Sequence, residues 1–159
     1  MGCPIEVLLV PDFWLDSDSL IERKEGPYGF DIAPGFWRFL EQEMAQGIIG
    51  SSTTVYTEID NGSEDDLLLW AKKQKDSGFF VEPDALVKNT FRQIAQHVSQ
   101  TYPQHQSSVF LNGADPWIIS HARTYGGKVV TFEIRAPLSK KPKIPDVCQH
   151  FQVRCLNVY

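Results

Sequence analysis

The chain has 159 residues, a length that fits one domain able to bury its own hydrophobic core. Its 42% hydrophobic and 12% aromatic residues exclude the disordered and collagen-like classes, and three cysteines with no Cys-x-x-Cys pair argue against a disulfide framework. The net charge of −5 excludes a general attraction to nucleic acid, so a local basic patch would be needed to bind it.

The first part of the chain predicts a strand that ends in acids. Residues 4–15 are apolar but too short to span a bilayer, and they lack the basic start of a signal peptide, so we expect a cytoplasmic protein. Residues 13–15 have the character of a buried strand, which stops at Asp16-Ser17-Asp18-Ser19 and is followed by a short helix over residues 17–23. Two interpretations of these acids are open. Side chains at the carboxyl end of a strand line the ligand crevice of an α/β sheet, and Asp and Ser are also preferred helix N-caps.

The middle of the chain alternates helices with short strands. Residues 24–30 are dense in turn residues and predict a loop. Helical periodicity predicts helices over residues 34–46, 51–60, 64–75 and 83–98, and short apolar runs predict strands over residues 48–50 and 79–81. The predicted apolar faces of two of these helices include Phe39 and Leu86. Residues 99–108 are polar and predict a surface loop.

The last part of the chain continues this alternation. A helix begins at Asp115-Pro116 and ends at Gly126-Gly127, a strand follows over residues 128–132, and Glu133 comes directly after it. An exposed loop is predicted over residues 135–143, then a short helix over residues 144–148 and a strand over residues 153–158. Strands that alternate with helices imply βαβ units. We therefore expect one domain, a three-layer α/β/α sandwich around a mostly parallel sheet of four or five strands.

Four acids stand at comparable places in this pattern: Asp16 after the first strand, Glu58 in a helix, Asp115 at a helix start and Glu133 after the fourth strand. The ends of strands one and four can be adjacent in such a sheet, so the acids are expected to converge. Clustered carboxylates repel one another unless a cation neutralises them, and oxygen ligands suit Mg²⁺ or Mn²⁺. A bound metal of this kind activates water for attack on a phosphodiester, so hydrolytic chemistry is predicted.

Each acid also has a purely structural interpretation. Asp115 precedes a proline and is predicted to be an ordinary helix cap. Glu58 fits a solvated helix residue, and Glu133 fits a simple loop acid. Spacing alone leaves both interpretations open.

The segment Leu15-Asp16-Ser17-Asp18-Ser19-Leu20-Ile21 resembles the opening Leu-Asp-Thr-Asn-x-Leu-Ile motif of PIN domains. PIN domains are metal-dependent nucleases that include the VapC toxins of bacterial toxin–antitoxin pairs. Four further stretches are similar to a bacterial PIN-like subfamily: FDIAPGFW (residues 30–37), VYTEI (55–59), GADPWII (113–119) and KIPDVC (143–148). The resemblance extends from about residue 13 to the C-terminus, and it leaves residues 1–12 as an unassigned extension.

The resemblance implies that Asp16, Glu58 and Asp115 take the family's first three acidic positions and that Glu133 takes the fourth. These four residues would bind Mg²⁺ or Mn²⁺ and catalyse RNA hydrolysis. Glu133 is longer than the Asp that is common at its position, which is a departure from the family's pattern.

Three further residues take supporting positions in the same motifs. Thr131 stands where a hydroxyl is often seen, Ser17 replaces the usual Thr, and Asp18 replaces a common Asn as a support or an additional metal contact. The loop that follows the fourth acid carries four basic residues that are expected to hold the RNA backbone: Arg135, Lys140, Lys141 and Lys143.

The leading hypothesis is thus a Mg²⁺- or Mn²⁺-dependent endoribonuclease, the toxin of a type II toxin–antitoxin pair that an antitoxin protein inhibits and that forms a homodimer. An alternative is a haloacid-dehalogenase-like phosphatase with Asp16 as nucleophile, because Asp16-Ser17-Asp18 also resembles that family's Asp-x-Asp opening. A third hypothesis is an inactive PIN-like module that binds a protein partner through its aromatic residues: Trp14, Trp37, Trp70 and Trp117.

Overall fold

A computed structural model of the chain describes residues 10–25 and 29–157, and the side chains of residues 22–25 are not part of the description. Five parallel strands form the central sheet in the order β3-β2-β1-β4-β5. Their bounds are β1 Phe13–Leu15, β2 Ile49–Ser52, β3 Phe80–Val81, β4 Lys128–Thr131 and β5 Arg154–Asn157. The prediction of a mostly parallel sheet of four or five strands is confirmed.

Helices connect these strands. Their bounds are α1 Ser17–Glu25, α2 Pro34–Ala45, α3 Thr53–Asp60, α4 Asp66–Gln74, α5 Ala85–Thr101, α6 Gln104–Asn112, α7 Asp115–Tyr125 and α8 Ile144–His150. The predicted loop over residues 24–30 and the proposed extension over residues 1–12 lie partly outside the described residues. Among the helices that the structure does describe, none is long and apolar enough to cross a membrane.

The helices cover both faces of the sheet because successive strand residues point to opposite sides. On one side, Phe13 and Leu15 of β1 line an apolar space with Phe36 and Leu40 of α2. On the other side, Trp14 stacks on the ring of His121 in α7, with 4.7 Å between the ring centroids. Helices α5 and α8 pack against α7. The chain is therefore a three-layer α/β/α sandwich, as predicted.

The tryptophans belong mainly to the interior. Trp14, Trp37 and Trp70 are buried, and Trp37 packs edge-on against Trp70 with 5.1 Å between the ring centroids. Trp117 is half-buried and stacks on Phe91 of α5 at 4.0 Å. Aromatic rings that already pack against one another in this way give little support to a tryptophan-rich interface with a partner.

The predicted surface loop over residues 99–108 is wrong. Helix α5 continues to Thr101, and α6 begins at Gln104 after a break at Pro103. The Oγ of Ser107 donates hydrogen bonds to the carbonyl oxygens of Val98 and Tyr102, at 3.0 and 3.1 Å, and so joins the two helices. Helix α6 buries only Ser107 and Phe110, so most of its residues are polar and the sequence resembles a surface loop.

Two neighbouring glycines before β4 allow a matched test of the contact between β1 and β4. Both have positive φ, +84° at Gly126 and +98° at Gly127, where an L side chain is strained. A Cβ at Gly127 would lie 2.8 Å from the carbonyl oxygen of Pro11 and 3.1 Å from Cδ1 of Trp14, whereas a Cβ at Gly126 would meet nothing within 4 Å.

We expect Gly126→Ala to reduce the free energy of unfolding by about 1–3 kcal/mol, the strain of its backbone conformation alone. Gly127→Ala should reduce it by roughly 2 kcal/mol more, because β4 must also move away from the segment before β1. Urea denaturation of both variants measures the difference. Equal losses would contradict the close approach described here.

Candidate functional site

The acids that the sequence singled out lie at one edge of the sheet. All five strands are parallel, so their carboxyl ends meet at this edge. Asp16 follows β1 directly and Glu133 follows its neighbour β4 by two residues. Glu58 reaches the edge from α3, and Asp115 from the first turn of α7. The structure places all four residues at this edge, and three of them, Glu58, Asp115 and Glu133, line one cavity.

Asp16 is fully buried below this edge and is fixed by three hydrogen bonds. Its Oδ1 accepts from the backbone N of Ser19 at 2.9 Å and from the Ser19 Oγ at 2.5 Å, and its Oδ2 accepts from the Thr131 Oγ1 at 2.9 Å. Asp16 therefore caps α1 and also joins β1 to β4. Burial raises the pKa of Asp16 to about 6, although the hydrogen bonds from Ser19 and Thr131 oppose that rise.

Glu58 joins three segments of the chain. One carboxylate oxygen accepts a hydrogen bond from the Oγ of Ser17 in α1 at 2.6 Å, and the other accepts from the backbone N of Ala114 at 2.7 Å. A Cβ at Gly113 would lie 3.2 Å from the same oxygen that Ala114 contacts. Glu58 is exposed, but it is anchored on both sides and is not the freely solvated residue that the structural interpretation proposed.

Glu133 is held in the loop after β4. Its backbone N donates to the Thr131 Oγ1 at 3.1 Å, and its Oε2 accepts from the backbone N of Ile144 at 2.7 Å. Thr131 thus contacts both Asp16 and Glu133, which explains why a hydroxyl suits this position. Glu133 accepts a bond from the first residue of α8, so its role is more than that of a loop acid.

Asp115 is the first residue of α7, and Ala114 is the N-cap. The expectation that Asp115 caps the helix is wrong, because its carboxylate makes no capping bond and accepts no hydrogen bond from any residue that the structure describes. Burial raises the pKa of Asp115 to about 8, together with repulsion from its acidic neighbours: Asp16, Glu133, Glu58 and Asp18. Burial is the larger cause, and the four neighbouring acids add to it.

An open cavity of about 330 Å³ lies above these acids. Asp18, Glu58, Asp115 and Glu133 are the acids that line it, and Ser17 lines it too. Burial raises the pKa of Asp18, and repulsion from Glu58 adds to this. Asp16 lies beneath the cavity and does not line it, since its side chain is entirely buried.

The basic loop divides into two parts around this cavity. Lys141 and Lys143 line the cavity, and the positive charge of Lys143 lowers the pKa of Asp18 in opposition to burial. Arg135 instead forms an ion pair with Asp146 of α8 at 3.3 Å, and Lys140 is exposed outside the cavity. The structure therefore brings two of the four predicted RNA contacts to the acids.

The side chains of this site have the right chemistry for a metal ion, but their positions in the structure are not those of metal ligands. The donors are carboxylate oxygens, which suit Mg²⁺ or Mn²⁺, and the raised pKa of Asp115 marks a site where a cation would relieve repulsion. In residues 10–25 and 29–157, however, no group of three or more His, Cys, Asp or Glu side chains is placed so that it could hold a metal ion. Glu58 accepts hydrogen bonds from Ser17 and Ala114, and Glu133 accepts one from Ile144. Both carboxylates would need to turn away from these donors to bind a metal.

Sequence reasoning missed one wall of the cavity. Gln106, Val109, Phe110 and Gly113 line it from α6 and the residue after that helix. Their spacing of three, four and seven residues is typical of one helix face, and this was the available signal. Because residues 99–108 were predicted to form a loop, the periodicity was not recognised.

A family model matches residues 13–159, and its description reads "Domain of unknown function (DUF4411)". The matched region contains all five acids described above and begins at the first residue of β1. No curated protein and no solved structure matches the chain.

Proposed function

The chain belongs to the DUF4411 family, and we propose that it is a Mg²⁺- or Mn²⁺-dependent endoribonuclease with a PIN-like fold that acts as the toxin of a toxin–antitoxin pair. The observation that carries this proposal is the set of carboxyl groups around one cavity at the carboxyl edge of a parallel sheet, where Asp18, Glu58, Asp115 and Glu133 line the cavity. The pKa of Asp115, raised to about 8 by burial and by these neighbours, supports it. Carboxylates that share one cavity repel one another, and a divalent cation would relieve that repulsion. Carboxylate oxygens are also the ligands by which hydrolases hold Mg²⁺ or Mn²⁺, so the donor set supports a cation-dependent hydrolase.

The residues take distinct roles in this proposal. Glu58, Asp115 and Glu133 would hold the metal from the walls of the cavity, with Asp18 as a further contact. Asp16 would support it from below, because Thr131 and Ser19 already fix its orientation. When bound, the metal lowers the pKa of a water and stabilises the charge that develops on the phosphodiester. Ser17 keeps Glu58 in place through its hydroxyl.

Four parts of this proposal rest on the resemblance to PIN-domain toxins: the toxin assignment, an antitoxin partner, a homodimer and a cytoplasmic site of action.

The phosphatase alternative is weakened by the surroundings of Asp16. Both of its oxygens accept hydrogen bonds and its side chain is fully buried, whereas a nucleophile must reach its substrate.

Purified protein incubated with labelled single-stranded RNA in Mn²⁺ and in EDTA tests the proposal. Cleavage is expected in Mn²⁺ alone, and Asp115→Asn should reduce it by about 10² or more, the usual range for loss of one electrostatic contact at a reacting centre. Asp76→Asn, at an exposed acid outside the cavity, is the matched control and should cleave as the wild type does. An Asp115→Asn variant that is correctly folded and fully active would refute the nuclease.

Lys143 and Lys140 provide a matched test of the RNA contact, because Lys143 lines the cavity and Lys140 does not. For Lys143→Met we expect weaker RNA binding, with the slope of log Kd against log salt lower by about 1, as for one lost phosphate contact. Lys140→Met should leave that slope unchanged. A salt titration of binding by fluorescence anisotropy measures both, and equal slopes in the two variants would exclude Lys143 from the contact.

A further inference from the structure

The cavity above the acids has two unlike walls. The loop after β4 contributes Lys141 and Lys143, the only cations among its lining residues. Helix α6 contributes Gln106, Val109 and Phe110, which carry no charge. An inorganic ion or a bare phosphate makes no favourable contact with an uncharged, partly apolar surface. A nucleotide does, because it combines a charged phosphate with a neutral, flat base.

The neutral wall has both components that hold a base. Val109 is 59% exposed although it is apolar, and Phe110, 8% exposed, lines the same cavity, so together they offer an apolar surface there. Gln106 lines the same cavity, and its side-chain amide makes no hydrogen bond to a residue in the described part of the chain. An amide presents a donor and an acceptor side by side, which is the pattern that recognises the edge of a base.

The size of the cavity limits what enters it. About 330 Å³ lies near the lower end of the range for small-ligand sites, roughly 300–1,000 Å³. Such a space takes one nucleotide with its base turned out of the strand, and it is too small for a base pair. Single-stranded RNA offers bases in this form, since its unstacked bases are free to turn outward onto protein surfaces.

We propose that α6 forms a base-binding wall, on which Val109 and Phe110 contact one unpaired base and Gln106 hydrogen-bonds to its edge. Lys141 and Lys143 hold the adjoining phosphate over the acids. The base preference of the enzyme is thus set by Gln106, a specificity-determining residue that takes no part in the hydrolysis. This inference rests on the proposed nuclease function and adds to it the base that the site selects.

The test uses short single-stranded RNAs that differ in one base, and three proteins: wild type, Gln106→Leu and Gln104→Leu. Leu at position 106 keeps the apolar volume and removes the amide. Gln104 is an exposed residue of the same helix outside the cavity, so its variant is the matched control. Equal melting temperatures of the three proteins establish that each is folded. Cleavage is measured in Mn²⁺, and binding is measured separately in EDTA with each protein carrying Asp115→Asn.

The wild type is expected to bind and cut next to one base about tenfold better than next to the others, in the range of one good bidentate base contact. Gln106→Leu should reduce this ratio to about twofold or less while keeping affinity for the disfavoured bases, and Gln104→Leu should keep the ratio. A wild type without base preference, or a preference that survives in Gln106→Leu, overturns the inference. Base-selective binding that depends on Gln106 without any cleavage in Mn²⁺ refutes the nuclease and leaves the nucleotide pocket standing.

Discussion

Asp115→Asn is expected to make the metal-free protein more stable at pH 8 and to abolish most of its stabilisation by Mn²⁺. The folded protein raises the pKa of Asp115 from 3.8 to about 8, so ionising this group destabilises the fold. A shift of this size corresponds to roughly 5 kcal/mol. Asparagine has a similar shape and no charge, and we expect it to recover about 3 kcal/mol or more of unfolding free energy.

The same substitution removes a ligand that the proposed metal needs. Wild-type protein should melt at a higher temperature with Mn²⁺ than with EDTA, since a ligand that binds only the folded state stabilises it by roughly 3 kcal/mol at a hundred times its Kd. Thermal melts of wild type, Asp115→Asn and Asp76→Asn, each in Mn²⁺ and in EDTA, measure both effects. An Asp115→Asn variant that is less stable in EDTA than the wild type would contradict the account of a crowded cluster.

The second large effect is a loss of stability as the pH rises. A group whose pKa is higher in the folded than in the unfolded chain binds more protons when folded, so stability falls as pH rises between the two pKa values. Asp16, at about 6, is already mostly ionised at pH 6.5, whereas Asp115, at about 8, is still almost fully protonated there. We expect the metal-free protein to lose about 2 kcal/mol between pH 6.5 and pH 8.

Below pH 6.5 a buried histidine acts in the opposite direction. Burial lowers the pKa of His121 from 6.5 to about 4, so stability is lost there as pH falls and the unfolded chain gains a proton. Asp115 therefore dominates the change between pH 6.5 and pH 8, and the Asp115→Asn variant separates its contribution from the smaller ones of His121 and Asp16. Urea denaturation at several pH values in EDTA should show the loss in wild type, and both Asp115→Asn and saturating Mn²⁺ should suppress it. A flat profile for wild type in EDTA would show that Asp115 ionises freely.

Much of the fold was predictable because its determinants are local. The strand of residues 13–15 ends where an acid begins a helix, and Gly126-Gly127 end α7 as predicted. Errors arose where tertiary packing decided the outcome. Phe39 and Leu86 fit the helical period of their predicted apolar faces, but they are 53% and 60% exposed because no element covers them in the part of the chain that the structure describes.

The candidate site was predictable in its acids and not in its geometry. Sequence spacing and resemblance singled out Asp16, Glu58, Asp115 and Glu133, and these lie at one edge of the sheet. Their hydrogen-bond partners were beyond sequence reasoning, because a bond such as that from Ala114 to Glu58 joins positions 56 residues apart. The division of the basic loop depends on the ion pair between Arg135 and Asp146 of α8, which joins positions 11 residues apart and follows from how α8 packs rather than from the loop's own sequence.

The hydrogen bond between Thr131 and Asp16 joins positions 115 residues apart, and it connects the first strand to the fourth. A chain emerging from the ribosome has to extend through β4 before this bond can close. Its early segments would already carry Asp16 and Glu58, with their charges still solvated and apart. Glu133, the last acid of the cluster, also follows β4, so an incomplete translation product that stops before β4 would lack both this acid and the bond that fixes Asp16.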